Sequence, residues 1–295
     1  MGIKGNMALR VSSDFRVYSF SKRHKPVLRV RPGSVVVFET RDAFDRQLSL
    51  EVGKPLDVEK VDRSRCNPAT GPVWVEGAKP GQTLEVEVLD IRVDDKGFIG
   101  RRVFRIVDGE VDLGFMKIPV RPMIGVIGVA PAEGEIRSRV PGDHGGNLDE
   151  PGVTVGSRVF LPVWAEGALL GMGDVHATQG DGEVSGQGLE VSAEVEVRLK
   201  LHPGRVVDKV LVDTGSELII LASSETLETT VKEAVEAAQT LLTKALGVDR
   251  ETALALLSLT SNLGISQIVN PRKTAKFTIP KSILGIRLEE LLKTP

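Results

Sequence analysis

The 295-residue sequence has a single cysteine, Cys66, so no disulfide can form within the chain. A lone thiol fits a reducing compartment. Aromatic residues make up only 4% of the chain, too few for stacking on bases or sugars to dominate binding. An excess of either charge is also missing. The 38 Lys and Arg nearly cancel the 40 Asp and Glu, and a net charge of -2 exerts no long-range pull on nucleic acid or an acidic membrane. No apolar run approaches the roughly 20 residues of a membrane helix. The longest runs are strand-sized, such as residues 218–222. Residues 1–10 lack the apolar core of a secretory signal. A cytoplasmic protein with neither a nucleic-acid nor a membrane partner is expected.

What is present reads mostly as strands and turns, and 41% hydrophobic residues suffice for a sizeable core. The run at 27–30, the turn Pro32-Gly33 and Val35-Val36-Val37-Phe38 suggest two strands paired around a tight turn. In 83–93, Leu84, Val86 and Val88 alternate with Glu85 and Glu87, whereas Leu89, Ile91 and Val93 take the opposite phase. Such a switch predicts a β-bulge. The clearest strand is 188–201. Leu189, Val191, Ala193, Val195, Val197, Leu199 and Leu201 face one way, and Glu190, Ser192, Glu194, Glu196, Arg198 and Lys200 the other. This is the pattern of an antiparallel sheet with one dry face.

Residues 206–212 and 218–221 continue the sheet. Thr230 and Glu233 then have capping-box spacing, with an earlier start near Leu227 as the alternative. Val231, Ala234, Val235, Ala238, Leu241, Leu242 and Ala245 recur at helical intervals up to Gly247. Asp249 caps a second helix over 250–257, and 276–279 returns to strand. The expected fold is mainly β. A jelly-roll-like β-sandwich, residues 1–203, carries the site loops, and a smaller α+β C-terminal portion, 204–295, packs on it.

Two segments concentrate unusual residues: Pro141-Gly142-Asp143-His144-Gly145-Gly146-Asn147-Leu148-Asp149 and Gly173-Asp174-Val175-His176-Ala177-Thr178-Gln179-Gly180-Asp181-Gly182-Glu183. In an extended segment Asp174 and His176 point to one face, and a carboxylate beside an imidazole can begin a zinc site. A turn at Gly180-Asp181-Gly182 folds Glu183 back toward them, as base, supporting residue or further ligand. Gly145-Gly146 lets backbone approach closely, so that His144, Asn147 and Asp149 converge from one loop. A cation held by Asp and His with one open position activates water for attack on an amide carbonyl. The plainer readings are a common Asp-x-His pair, an ordinary turn and a loop histidine. His24 and His202 read as turn residues, Trp74 and Trp164 as core, and Cys66 as a spectator. The glycines of 180–188 lack dinucleotide or phosphate-loop spacing.

These two segments resemble the acetamidase/formamidase family. Further matches are Phe38-Glu39-Thr40-Arg41-Asp42-Ala43, Asn67-Pro68-Ala69-Thr70-Gly71-Pro72 and Val75-Glu76-Gly77-Ala78-Lys79-Pro80-Gly81. Ile124-Gly125-Val126-Ile127-Gly128-Val129-Ala130-Pro131 and Ile265-Ser266-Gln267-Ile268-Val269-Asn270-Pro271 extend the likeness over nearly the whole chain. The resemblance implies hydrolysis of formamide, acetamide or a similar short amide to carboxylate and ammonia. It also implies a divalent metal, zinc in first place and calcium at a second. By motif position, Asp149, Asp174 and His176 are the implied metal ligands and Glu183 the general base. His144 is assigned a catalytic role beside Glu183, and Asn147 and Gln179 contact substrate. Ser185 stands where the family often carries cysteine, which argues against a required cysteine nucleophile or against full amidase activity. Asn262 and Asn270 stand where it often carries aspartate.

Two other readings compete with a metal-dependent amidohydrolase. One is a metal-free enzyme with Ser185 as nucleophile activated by His176. The other is a β-sandwich that binds a ligand or metal without turnover. Exposed sheet edges favour a homo-oligomer.

Overall fold

The structure, a computed structural model, describes residues 9–284 and 288–293. Most of the stretch read as lacking a signal, residues 1–8, lies outside the described residues. Alternation in Ala193–His202 buries Ala193, Val195, Val197 and Leu199 and leaves Glu194, Glu196 and Arg198 half-exposed. This strand pairs antiparallel with Val35–Thr40 on one side and Thr83–Val93 on the other. Glu196 opposes Asp90 and Val197 opposes Val88, so Leu89 is the extra residue of a bulge, where the phase switch placed it.

These strands lie within a nine-stranded sheet. A second, eleven-stranded sheet is built around Leu170–His176, which pairs with Met123–Gly128, Ala69–Val75 and Glu190–Val191. Val36, Phe38, Leu84, Val86 and Val195 of the first sheet share one core with Val73, Val75, Ile124, Ile127 and Leu170 of the second. The β-sandwich is therefore present, with its helices at the C-terminal end.

Two local expectations are corrected. The turn at Pro32-Gly33 forms, with Ser34 N–H donating to Arg31 O at 3.1 Å, but it joins no hairpin. Leu28–Val30 pairs in parallel with Ala69–Val75 of the second sheet, while Val35–Thr40 lies in the first. The turn crosses between sheets because Val30 and Val36 both reach the shared core, from opposite sides. Nor is 188–201 one strand. Glu190–Val191 belongs to the second sheet and Ala193–His202 to the first, with the break at Ser192. Alternation survives the break, so the sequence conceals it. The supposedly wet residue Glu190 is buried.

Beyond residue 203, Val210–Asp213, Glu217–Ser224, Lys273–Pro280 and Asn262–Gln267 extend the nine-stranded sheet. The continuation expected over 206–212 becomes a strand only from Val210. In Glu217–Ser224, Ile219 and Leu221 join the sandwich core, whereas Leu218, Ile220 and Ala222 meet the helices. Two covered faces explain the unbroken apolar run. Helix α1 (Leu227–Leu246) takes the earlier of the two starts, because the Thr226 side chain caps Thr229 N–H, and it ends at left-handed Gly247. Helix α2 (Arg250–Thr260) is capped by Asp249 and runs on to Thr260. Ala234, Ala238, Leu241 and Leu242 of α1 pack with Phe277 and Ile279. Each fully buried leucine contributes roughly 1.5–3 kcal/mol. No helix among the described residues is long and apolar enough to cross a membrane.

Candidate functional site

Both unusual segments end at one place, beside the C-terminal end of Leu170–His176. In the first, Gly145 and Gly146 have φ of 97° and 90°, and a Cβ on Gly145 would lie 2.1 Å from Ile127 O. Only glycine lets the loop press this closely on Met123–Gly128. The loop then delivers Asn147 and Asp149, both buried. In the second, Asp174 and His176 converge, with His176 Nε2 3.9 Å from Asp174 Oδ1. The regular extended geometry assumed for them is absent, however: Asp174 is left-handed, at φ 53°.

Asn67 (54°), Asp149 (46°) and Glu183 (45°) share that conformation. It costs a non-glycine residue roughly 1–3 kcal/mol and persists only where the surroundings enforce it. At Glu183 the enforcement is visible, because Gly182 N–H donates to Ser266 O (3.0 Å) and Ile268 N–H to Gly182 O (3.1 Å). The turn at 180–182 is thus clamped to Asn262–Gln267, and Glu183 is folded back toward His176.

His176 is held by a bracket. Its Nδ1 meets Gln179 Oε1 at 2.7 Å, and Gln179 Nε2 donates to Asp149 O at 2.9 Å. Since the amide oxygen of Gln179 must accept, Nδ1 carries a proton, and Nε2 faces Glu190 Oε2, 3.3 Å away. Each aspartate is likewise pinned by one amide. Asn67 Nδ2 donates to Asp174 Oδ2 (2.7 Å) and Asn270 Nδ2 to Asp149 Oδ2 (2.6 Å). The remaining oxygens, Asp149 Oδ1 and Asp174 Oδ1, are buried without a hydrogen bond, as is Glu190 Oε2.

Buried, unpartnered carboxylate oxygens are costly, and they call for a cation. Two overlapping sets are suitable: Asp149, His176 and Glu183, and Asp174, His176 and Glu190, with donor atoms within 4.8 Å of one another in each. The acid–base balance agrees. Burial, reinforced by Glu183 and Asp174, raises Asp149 well above the ordinary carboxylate range. Burial with Glu190 and Asp174 lifts Glu183 to about 7, and burial with Asp174 lifts Glu190 to about 8. Burial opposes a charge on His176, but Glu190, Asp174 and Asp149 outweigh it and hold the imidazole well above its usual value. These groups cannot all ionise together unless positive charge joins them.

The cluster opens into a cleft of about 650 Å³, with Asn67, Asn147, Asp174, Glu183, Glu190 and Asn270 in its wall. Of the residues expected at the site, Asp149, Asp174, His176 and Glu183 are brought together, and Asn147 lines the cleft with Oδ1 buried and unpartnered. Gln179 does not line this cleft and contacts His176 instead. His144 lies apart. It does not line the cleft, its ring packs edge-on against Phe20 (5.4 Å), and burial with Arg272 lowers it to about 4, so it is neutral.

Glu190, Asn67 and Asn270 were missed. The alternating pattern hid Glu190 among solvent-facing residues. Asn67 and Asn270 lay in motifs whose amides gave no sign of which carboxylate they would meet. Ser185 is exposed and donates to Gln187 O (3.2 Å), and its hydroxyl makes no hydrogen bond to His176. His24 contacts Ser19 Oγ at 2.9 Å and His202 contacts Glu85 at 2.6 Å, both remote from the cluster. Trp74 and Trp164 are half-buried beneath Arg29 and Arg205. Cys66 is half-buried in the cleft wall.

Comparison with known proteins places the chain in a family. The sequence profile of the Acetamidase/Formamidase family matches residues 20–121 and 130–286. A solved structure described as a predicted acetamidase/formamidase from Thermoanaerobacter tengcongensis superposes with a TM-score of 0.92 at 39% identity, covering 96% of this chain and 99% of that one. The acetamidase of Bacillus halodurans superposes with a TM-score of 0.89 at 34% identity, covering 94% and 100%. The acetamidase of Mycolicibacterium smegmatis is 26% identical over 256 residues, 59% of this chain and 63% of that protein. The chain thus spans less than two thirds of that relative's length. With a profile matching most of its residues and two structures matching nearly all of them, the chain belongs to the acetamidase/formamidase family.

Proposed function

We propose that this protein hydrolyses short aliphatic amides, formamide and acetamide among them, to the carboxylate and ammonia, with a divalent cation bound at the cluster. Family membership supports the reaction. The observation that carries the site is the set of buried, unpartnered oxygens of Asp149, Asp174 and Glu190, each grouped with His176. Asp149, Asp174, His176 and Glu190 would hold the cation. The mixed carboxylate–imidazole set suits zinc better than calcium, which takes six to eight oxygens. When bound, a cation there supplies Lewis acidity toward a carbonyl oxygen and makes a neighbouring water more acidic.

The remaining work falls to the chain. Glu183 reaches both the cluster and the cleft, so its carboxylate takes a proton from the attacking water and returns it to the leaving nitrogen. Asn147 Oδ1 is free to accept a hydrogen bond from the substrate amide N–H₂. Gln179 fixes the His176 ring, and Asn67 and Asn270 fix the two aspartates.

The test is ammonia release from formamide and acetamide by the purified protein, paired with elemental analysis before and after chelation. Activity lost with the metal and restored by zinc is the expected result. Metal bound without ammonia from any short amide would leave a binding protein. Activity indifferent to chelators would remove the cation from the reaction.

A further inference from the structure

We infer that the preferred substrate carries an anion at the end remote from its amide: the monoamide of a dicarboxylic acid. The inference rests on the amide-hydrolysis reading and concerns the outer part of the same cleft.

Volume is the first argument. A cleft of about 650 Å³ equals about twenty water-sized volumes, whereas formamide, with three heavy atoms, fills roughly three. Most of the space is therefore shaped for something other than the reacting group.

Charge is the second. The carboxylates Asp174, Glu183 and Glu190 share this cleft with Arg63, Arg101, Arg139 and Lys273. Arg101 is paired with Glu59 (3.1 Å). Among the described residues the other three make no ion pair. Arg63 lies over the Phe44 ring (5.3 Å) and donates to Val58 O, Lys273 donates to Asn270 O (2.8 Å), and Arg139 makes no hydrogen bond. Arg63 and Arg139 are exposed and Lys273 is half-buried, and two other half-buried lysines of the chain do carry carboxylate partners. Lys209 meets Asp143 and Glu233, and Lys276 meets Glu150 and Asp181. Cations left without carboxylates on one wall suit a carboxylate that arrives with the ligand.

The two charged zones are close neighbours. Burial raises the Cys66 thiol, Arg63 and Arg139 pull it down, and Asp174 raises it again, so two guanidiniums and a site carboxylate act on one sulfur atom. The arrangement also sets direction. The cationic wall gives the carboxylate a place away from the reacting end, so an ω-carbamoyl carboxylate enters amide first. Phe44, Val58 and Val269 offer apolar contact to the methylenes between. In the reaction the amide C–N bond breaks and a C–O bond to the water oxygen forms. The nitrogen leaves as ammonia, and the product is the dicarboxylate.

The experiment compares kcat/KM for ammonia release by the metal-loaded enzyme on succinamate and glutaramate with that on their neutral counterparts butyramide and valeramide, at low and high salt. The anionic amides should be preferred by about tenfold or more at low salt, with the margin shrinking as salt rises. In Arg139→Gln and in Arg63→Gln the ratio of succinamate to butyramide should fall several-fold. Acetamide turnover with no anionic preference, or a preference untouched by both replacements, overturns this inference alone. No ammonia from any amide overturns the reaction on which it rests.

Discussion

Replacing Asn270 by Asp tests how the cluster is held. In the protein, Asn270 Nδ2 donates to Asp149 Oδ2 at 2.6 Å, inside a site where Asp149 is fully buried. The substitution removes a buried hydrogen bond and leaves its acceptor unsatisfied, a loss of about 1–3 kcal/mol. It also sets two carboxylates side by side. Two like charges 4 Å apart at an effective dielectric of 20 cost about 4 kcal/mol, so the pair takes up a proton instead and recovers part of the loss as an O–H···O bond. A net cost of about 2–3 kcal/mol remains. At about 2–4 °C per kcal/mol for a chain of this size, the melting temperature should fall roughly 4–12 °C without metal. The extra negative charge attracts a cation, so the deficit should narrow when zinc is added. Asn262→Asp is the control: Asn262 is exposed on the edge strand Asn262–Gln267, and its replacement should cost no more than about 0.5 kcal/mol. Thermal unfolding after chelation and after zinc addition measures all of this. An Asn270→Asp protein that melts like the parent without metal, or an equal loss in Asn262→Asp, would refute the reasoning.

Glu183→Gln should lower turnover about 10²–10⁴-fold while bound zinc, measured by elemental analysis, stays near the parental amount. Near-normal ammonia release would remove Glu183 as the base. A Cβ on Gly188 would lie 2.5 Å from His176 Nδ1 and 2.6 Å from its Cγ. Gly188→Ala must therefore tilt the ring, at about 1–3 kcal/mol of overpacking, and should weaken zinc binding by calorimetry about tenfold. Unchanged affinity would show that the ring is not a ligand. Burial opposes ionisation of Glu85, but His202 and Lys200 outweigh it and hold the carboxyl below its usual 4.5. A depressed folded-state pKa contributes stability above about 4.5 that is lost as pH falls below it. The melting-temperature gap between the parent and Glu85→Gln should therefore close as the solution is acidified through that range, and a constant gap would rule out the linkage.

Much of this molecule was legible in order along the chain. The bulge at Leu89 followed from a phase switch in 83–93, and the β-sandwich from the alternation in Ala193–His202. The cap at Asp249 fell where local rules placed it, whereas the first helix starts at Leu227, the alternative to the Thr230–Glu233 capping box. Asp149, Asp174, His176 and Glu183 stood out because carboxylates and an imidazole sat among glycines. All of these signals come from neighbours in sequence, where side-chain period and turn chemistry act. They do not report which sheet a strand joins, so the crossing at Pro32-Gly33 and the break at Ser192 were invisible.

The sequence by itself determined the strand periods, the caps and the chemical inventory of the site, because each depends on residues a few positions apart. Only the tertiary structure decided that Glu190 turns inward to His176, that Asn67 and Asn270 each pin one aspartate, and that His144 packs against Phe20. The physical reason is that a buried polar group takes its partner from whatever the packing of distant segments brings within 3 Å. Asn67 and Asp174, and Asn270 and Asp149, lie more than a hundred residues apart in the chain.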